Sequence, residues 1–174
     1  MRRACVAIAV LVWSGTASAD DTVSASEQAE HATLVFVGTE LMPMPTVGAH
    51  VDAEGAVRVH RDHFAFEGRF GGGLAFSATA GGNVFGLRAG ASAGYAIPLG
   101  ARFVVIPMLA YDAFVLRERH DSAELVQRAT FHMPISWLVY PHAVVELSGQ
   151  IGVQWFQGIR DLAIVLAPRI GLVF

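Results

Sequence analysis

Residues 143–155 read AVVELSGQIGVQW, and this stretch decides the fold. Apolar side chains such as Leu147 and Ile151 recur at every second position, and polar ones such as Gln150 lie between them. A period of two puts successive side chains on opposite faces of an extended chain. The stretch therefore predicts a β-strand with one apolar and one polar face.

The same alternation extends over the rest of the chain after its first thirty residues. Short polar or glycine-containing links separate the alternating segments, as expected for antiparallel hairpins. An even number of strands is typical of bacterial membrane barrels. The pattern predicts eight strands, in or near residues 33–41, 51–60, 64–76, 85–97, 101–116, 124–139, 143–155 and 162–174.

The composition indicates whether such strands are surrounded by water or by lipid. Of the 174 residues, 53% are hydrophobic and 16% are charged, and the mean hydropathy is +0.47. The longest charge-free stretches, 70–87 and 129–145, are interrupted by glycines or by Pro134 and Pro141, so neither predicts a spanning helix. We therefore predict an all-β fold, an eight-stranded antiparallel up-and-down transmembrane β-barrel.

The N-terminus has the features of an export signal. Arg2 and Arg3 precede an apolar stretch of roughly ten residues, and small residues precede Asp20. We expect residues 1–19 to be a cleaved signal peptide, 20–30 a flexible N-terminal segment and 31–174 the barrel domain. Cleavage would remove Cys5, the only cysteine, so no disulfide is expected.

The C-terminal strand carries a resemblance to a known class. Phe174 is the last residue, and Leu172 and Ile170 precede it at alternate positions. With the export signal and the amphipathic strands, this ending resembles that of small outer-membrane β-barrel proteins of Gram-negative bacteria. The resemblance implies an outer-membrane location, contact with outer-membrane lipid, and an assembly signal at Ile170, Leu172 and Phe174 that the barrel assembly machinery reads.

A soluble, lipocalin-like barrel that binds a ligand inside is the main alternative. It would show the same alternation with its apolar face inward. Water-facing surfaces carry about 25–35% charged residues, whereas the polar faces here are mainly Gly, Ala and Ser with a few Arg and Glu. Small residues with few charges are more typical of a narrow lumen, which favours the membrane barrel.

The few charges of the strands share one parity, which would be the lumen face. Eight strands leave an interior barely wide enough for side chains, so these charges should pair and plug it. A narrow, porin-like channel for small solutes is the alternative, and Arg88, Arg128 and Arg169 would make it prefer anions. The predicted lumen charge network consists of Glu67, Arg69, Arg88, Asp112, Arg128, Glu146 and Arg169.

Two groups of residues raise the question of chemistry. His60, Asp62 and His63, with nearby His50, contain metal-ligating side chains, but their spacing is typical of solvated polar residues, so no metal or cofactor is expected. All 12 basic residues other than histidine are Arg, against 15 acids and a pI near 6.1, so we expect no nucleic-acid partner.

A lipid-modifying barrel enzyme is a further alternative. Outer-membrane lipid deacylases of this size place the nucleophilic serine two residues after the catalytic histidine. Here Pro134 occupies that position after His132. Ser136 is the nearest substitute, and Glu146 follows later in the chain. Without a nucleophile in register, we predict that the protein is not an enzyme.

We therefore predict a structural or surface-interacting barrel. Exposed loops can vary without disturbing the wall, so an extracellular partner would bind the longer connections, Arg117–Ser122 and Gln157–Asp161. Three prolines, Pro107, Pro134 and Pro168, fall within predicted strands, where each removes a ladder hydrogen bond. We expect bulges or interface positions there.

Overall fold

The computed structural model describes residues 24–44, 48–77, 83–117, 124–156 and 158–174. One short helix precedes a succession of strands. No helix in these ranges is long and apolar enough to cross a membrane. The elements are α1 (Ala25–Glu30), β1 (His31–Met44), β2 (Gly48–Arg61), β3 (Phe64–Ser77), β4 (Asn83–Tyr95), β5 (Ile97–Leu99), β6 (Phe103–Val105), β7 (Met108–Arg117), β8 (Glu124–Tyr140), β9 (Ala143–Phe156) and β10 (Ile159–Val173).

The strands form one closed antiparallel sheet. Each strand pairs with its sequence neighbours, and β1 pairs with β10, for example through Val35 and Leu172, to close the barrel. The short β5 continues β4, and β6 continues into β7, because their pairings keep the same register. The ten elements therefore make an eight-stranded barrel, which confirms the predicted fold.

The prolines lie where the ladder is interrupted. Pro107 separates β6 from β7, and its carbonyl accepts a hydrogen bond from the Tyr95 N–H at 3.2 Å. Pro134 lies beside the same break and accepts from the Ile106 N–H at 3.0 Å. Pro168 lies at the β1–β10 seam, where the pairing with β1 stops at Arg169 and resumes at Leu166. The wall thus accommodates each missing donor locally, without a register shift at these positions.

The two ends of the barrel differ. The short-turn end has two- or three-residue turns at 62–63, 100–102 and 141–142. Asp62 and His63 both have positive φ, which matches the right-handed twist of a tight hairpin. The long-loop end carries the connections 45–47, 78–82, 118–123 and 157–158, most of which lie outside the described residues.

One predicted loop is shorter than expected. The sequence suggested a connection over Gln157–Asp161, but β9 extends to Phe156 and β10 begins at Ile159. Arg160 and Asp161 are therefore strand residues. They pair with Trp155 and Gln154, because the alternation of β10 continues beyond the apolar residues that defined the prediction.

The outer face of the wall is apolar and the inner face carries the charges. Outward side chains such as Leu109 (73% exposed) and Phe70 (64% exposed) contrast with inward ones such as Arg58 and Asp112, which are fully buried. Bilayer, rather than water, is the solvent that stabilises such an exterior. This orientation rules out the inverted, soluble barrel.

Aromatic side chains gather at both rims of this apolar face. At the short-turn end Phe103 stacks on Trp137 at 6.0 Å, and Phe64 meets Tyr95 edge to face at 5.7 Å. Phe85 is exposed at the long-loop end. Such rings favour the interface between hydrocarbon and headgroups.

Helix α1 occupies the short-turn end of the lumen. The sequence assigned residues 20–30 to a flexible segment and predicted no helix there. Ser24 caps the helix, because its hydroxyl accepts from the Glu27 N–H and the Glu27 carboxylate accepts from the Ser24 N–H. Ala25 and Ala29 pack against inward apolar side chains, in a cluster completed by Ala65, Ala96, Val104, Ile106 and Met108.

Candidate functional site: an ion-pair network in the lumen

All seven charged residues that the sequence placed on the lumen face lie inside the barrel and are buried. Four more charged side chains, which the sequence analysis left out of the network, lie among them. The additional residues are Glu40 on β1 and Asp52, Glu54 and Arg58 on β2. Asp52, Glu54 and Arg58 occupy alternate positions of β2 on the polar face. This alternation in the sequence could have placed them in the lumen.

Arg58 and Arg169 organise the half of the network nearer the short-turn end. Arg58 donates to Glu67 at 2.8 and 2.5 Å and to Glu146 at 2.6 and 3.0 Å. Arg169 donates to Glu67 at 3.0 Å and to Glu146 at 3.3 Å. Two guanidinium groups therefore bridge the same two carboxylates, a geometry suited to the planar fork of arginine.

Arg88 and Arg128 organise the half nearer the long-loop end. Arg128 donates to Glu40 at 2.7 Å and to Asp112 at 2.9 Å, and Arg88 pairs with Glu40 and Glu54. Both guanidinium groups also lie near the Phe114 ring. The centroid of the ring is 4.7 Å from the guanidinium group of Arg128 and 5.7 Å from that of Arg88. The aromatic face stabilises cations that have left water.

The pairs join into one continuous circuit across the lumen. Arg69 contributes the last link, because it approaches Asp112 at 3.1 Å and Glu67 at 3.7 Å. A circuit of this kind leaves each guanidinium with more than one carboxylate, which offsets the desolvation of buried charge. Its alternating order is Glu67, Arg169, Glu54, Arg88, Glu40, Arg128, Asp112 and Arg69, which returns to Glu67.

Glycines on the inner wall make room for the carboxylates. A Cβ at Gly90 would overlap the carboxylate of Asp112, and a Cβ at Gly73 would overlap that of Asp52. Gly149, on the outer face of β9, is open instead, with nothing within 4 Å of an added Cβ. Gly73 and Gly90 are therefore required by the network, as a glycine in a strand often marks close approach.

An apolar layer lies between the network and the short-turn end. Leu34 and Phe36 are buried there with Val144, and α1 covers the adjacent part of the lumen. His60 contacts the Gln28 carbonyl of α1 through Nδ1, which ties the helix to the wall. The lumen thus consists of a charged layer and an apolar layer in series.

The candidate catalytic residues do not assemble. Ser136 donates its hydroxyl to Glu146 at 2.6 Å, whereas His132 lies near Arg69, with Nδ1 3.4 Å from Nη1. The serine therefore has no imidazole base beside it, as nucleophilic activation requires. All three residues of the hypothesis, including Glu146, are buried in the lumen.

The histidines considered as metal ligands are also apart. His60 contacts α1, His63 lies in the short turn near Glu30 at 3.8 Å, and His50 lies near the other end of β2. Within the described part of the chain, no group of three or more His, Cys, Asp and Glu residues has an arrangement that could hold a metal ion.

The predicted assembly residues lie on the lipid side of the last strand. Ile170, Leu172 and Phe174 are exposed, and the Phe174 backbone exchanges hydrogen bonds of 2.9 and 3.2 Å with Thr33. The C-terminus therefore takes part in closing the barrel at the β1–β10 seam. Of the other predicted surface, Arg117 is exposed, and residues 118–122 lie outside the described ranges.

Comparison with known proteins addresses the fold. No protein-family model matches the chain, and no curated protein sequence matches it. Among solved structures, Ail, the attachment invasion locus protein of Yersinia pestis, matches with a TM-score of 0.57 and 9% identity over 83% of this chain and 99% of Ail. A second structure of Ail, in complex with the heparin analogue sucrose octasulfate, gives a TM-score of 0.58 and 10% identity with the same coverage.

Neisserial surface protein A also matches, with a TM-score of 0.57 and 10% identity over 82% of this chain and 94% of that protein. Identities this low reflect a shared fold. The apolar exterior, the closed sheet and this likeness agree. The chain shares the closed, eight-stranded antiparallel barrel fold of Ail and Neisserial surface protein A.

Proposed function

We propose that the protein is a closed, non-conducting barrel with a structural or surface-interaction role, whose lumen is plugged by the Arg and carboxylate network. The continuous circuit of buried ion pairs carries this proposal. An eight-stranded wall encloses little more than its own side chains. An ion crossing the lumen would have to displace paired, desolvated groups.

Two further features support a closed lumen. The apolar layer around Phe36 and Val144 offers no polar partners to a hydrated ion, and α1 occupies the adjacent end. The alternative channel needed Arg88, Arg128 and Arg169 to act as fixed positive charges. Each of them is neutralised by carboxylates, so an anion would find no unpaired guanidinium among them.

Planar-bilayer recording of the refolded protein tests the plug. We expect no stable conductance in the wild-type barrel. A double variant, Glu67→Ala with Arg169→Ala, removes one ion pair of the circuit. It tests whether the loss of part of the plug opens the lumen to ions. Large, stable conductance of the wild type would replace the proposal with the narrow-channel function.

We further propose that the role is not enzymatic. The Ser136 hydroxyl is hydrogen-bonded to Glu146, whereas His132 contacts Arg69, so the two side chains do not form a nucleophile and base pair. The lipid-facing wall of the described strands carries no serine and histidine pair either. A phospholipid and lipid A hydrolysis assay on the purified barrel tests this. Hydrolysis that is lost in Ser136→Ala would contradict it.

Surface interaction would use the long-loop end. Ail was solved with a heparin analogue, but residues 117–124 here read RERHDSAE, which combines two arginines with three acids. A near-balanced segment gives little electrostatic attraction to a polyanion. We therefore expect a partner recognised by mixed polar contacts, and no salt-sensitive binding of sucrose octasulfate to the barrel in nanodiscs.

A further inference from the structure

The charges of the lumen do not balance. Among the described residues, the buried network contains the five arginines Arg58, Arg69, Arg88, Arg128 and Arg169. It contains six acids, which are Glu40, Asp52, Glu54, Glu67, Asp112 and Glu146. A surplus charge is expensive in a desolvated space unless something compensates it. One positive charge is therefore missing from the protein's own ion pairs.

Among the described residues, Asp52 is the buried carboxylate with the weakest arginine contact. Its side chain is 1% exposed, and neither carboxylate oxygen has a hydrogen-bond partner in the part of the chain that the structure describes. The nearest guanidinium nitrogen, Arg88 Nε, is 3.9 Å away, and Arg88 is engaged with Glu40 and Glu54. The surplus negative charge is thus localised at Asp52.

His50 lies beside this carboxylate without hydrogen-bonding to it. Its Nε2 is 3.1 Å from Asp52 Oδ1, but neither atom has a hydrogen-bond partner of acceptable geometry. Two donor atoms at this separation, each bound to a metal at about 2.0–2.1 Å, would subtend about 98° at the metal. That angle lies between octahedral and tetrahedral values, so the pair is spaced to share a cation.

The wall around the pair leaves it room. Gly73 and Gly86 face each other across β3 and β4, and an added Cβ at Gly86 would lie 3.6 Å from His50 Nε2. The other side of the imidazole meets the edge of Phe114 at 5.8 Å between centroids. The charged groups that face the pair are Glu40 on β1, Glu54 on β2, Arg88 on β4 and Arg128 on β8.

We propose that His50 and Asp52 form a cation site that holds one positive charge in the outer part of the lumen. The charge is supplied either by a proton shared between the two side chains or by a metal cation bound to imidazole nitrogen and carboxylate oxygen. Water completes the coordination of a monovalent ion, and a divalent ion would also bind one hydroxide, so that one positive charge is added in each case. Either source would supply the one positive charge that the buried arginines lack, and the experiment below distinguishes the two. The site concerns charge balance and does not depend on whether the barrel conducts.

Thermal unfolding of the full barrel refolded in detergent tests the site in two arms. In the first, a chelator is present and the pH is raised. If a proton is held, the unfolding equilibrium constant should rise by up to about tenfold per pH unit between the pH at which the unfolded chain loses this proton and the higher pH at which the folded barrel loses it. In the second, Zn²⁺ or Na⁺ is added at fixed, mildly alkaline pH, and saturable stabilisation with one ion per barrel indicates a metal.

Asp52→Asn should abolish the response in either arm with little loss of stability, because Arg88, its only arginine contact among the described residues, keeps Glu40 and Glu54. Asp112→Asn is the matched control, since the same chemical change removes the nearer of the two carboxylates of Arg69 and one of the two carboxylates of Arg128, and should destabilise the barrel. His50→Gln should remove Zn²⁺ binding, whereas His132→Gln, which removes another buried imidazole, should retain it.

Several results would overturn the proposal. One is that neither raising the pH nor adding Zn²⁺ or Na⁺ changes the thermal stability of the barrel. Another is that Asp52→Asn responds as the wild type does, and a third is that Asp52→Asn is destabilised as much as Asp112→Asn. Arg119 belongs to the connection between β7 and β8, outside the described residues. If Arg119→Gln creates a cation response that the wild type lacks, a loop guanidinium neutralises Asp52 and the site does not exist.

Discussion

Replacement of Arg58 by methionine tests the ion-pair network most directly. Arg58 donates hydrogen bonds to Glu67 and Glu146, at 2.5–3.0 Å, and its guanidinium lies 4.8 Å from the centroid of the Phe36 ring. The side chain is fully buried. Methionine keeps much of its length and removes the charge and all five N–H donors.

The expected loss of stability follows from these contacts. Arg169 remains within reach of both carboxylates, but four guanidinium groups must then balance six buried acids. Breaking a buried ion pair by removing one partner typically costs about 3–5 kcal/mol, because an uncompensated charge stays in the interior. We expect Arg58→Met to fall in this range. A double variant with Glu67→Gln should lose less than the sum of the single changes.

Arg61 provides a matched control on the same strand. It lies three residues further along β2, its side chain is 84% exposed, and its contact with Asp62 is 4.0 Å long. An exposed pair of this kind contributes about 0–1 kcal/mol, so Arg61→Met should be nearly neutral.

Urea unfolding of the barrel refolded into phospholipid vesicles, followed by tryptophan fluorescence, measures both free energies of unfolding. If Arg58→Met costs no more than Arg61→Met, the lumen must be hydrated enough to screen its charges. That result would refute the dry, plugged interior on which the proposed function rests.

Three further predictions concern the wall, the seam and the helix. Gly90→Ala should destabilise the barrel by about 1–3 kcal/mol through overlap with the lumen carboxylate it faces, whereas Gly149→Ala, in open space, should be tolerated in the same unfolding assay. Phe174→Ala should lower the yield of protein in the outer membrane, measured by fractionation, and an unchanged yield would contradict its role as an assembly signal. Ser24→Ala should loosen α1 by about 0.5–2 kcal/mol, seen as faster amide exchange in the helix; because hydrogen bonds from Ser24 lower the pKa of Glu27, the wild-type cap should also weaken as the pH falls through that lowered pKa.

The sequence determined the wall of this protein. Strict alternation in segments such as 143–155 leaves one face uncharged, and strands satisfy every backbone group in a bilayer only when they form a closed sheet. The parity of each strand also determined which charges would face inward, including those of Asp52, Glu54 and Arg58. These features depend on neighbours along the chain, so a linear pattern is sufficient to find them.

The tertiary structure decided which charges meet. Arg58 and Glu146 are 88 positions apart, and their contact depends on the register of several strands around the barrel. No local pattern shows that Asp52 has only a distant arginine contact, at 3.9 Å from Arg88, because this follows from where the five guanidinium groups point. The six-residue helix α1 was missed as well: it is too short to show a helical period, and only the Ser24 and Glu27 capping box indicated it. Its place in the lumen is determined by the apolar side chains that the closed barrel brings together.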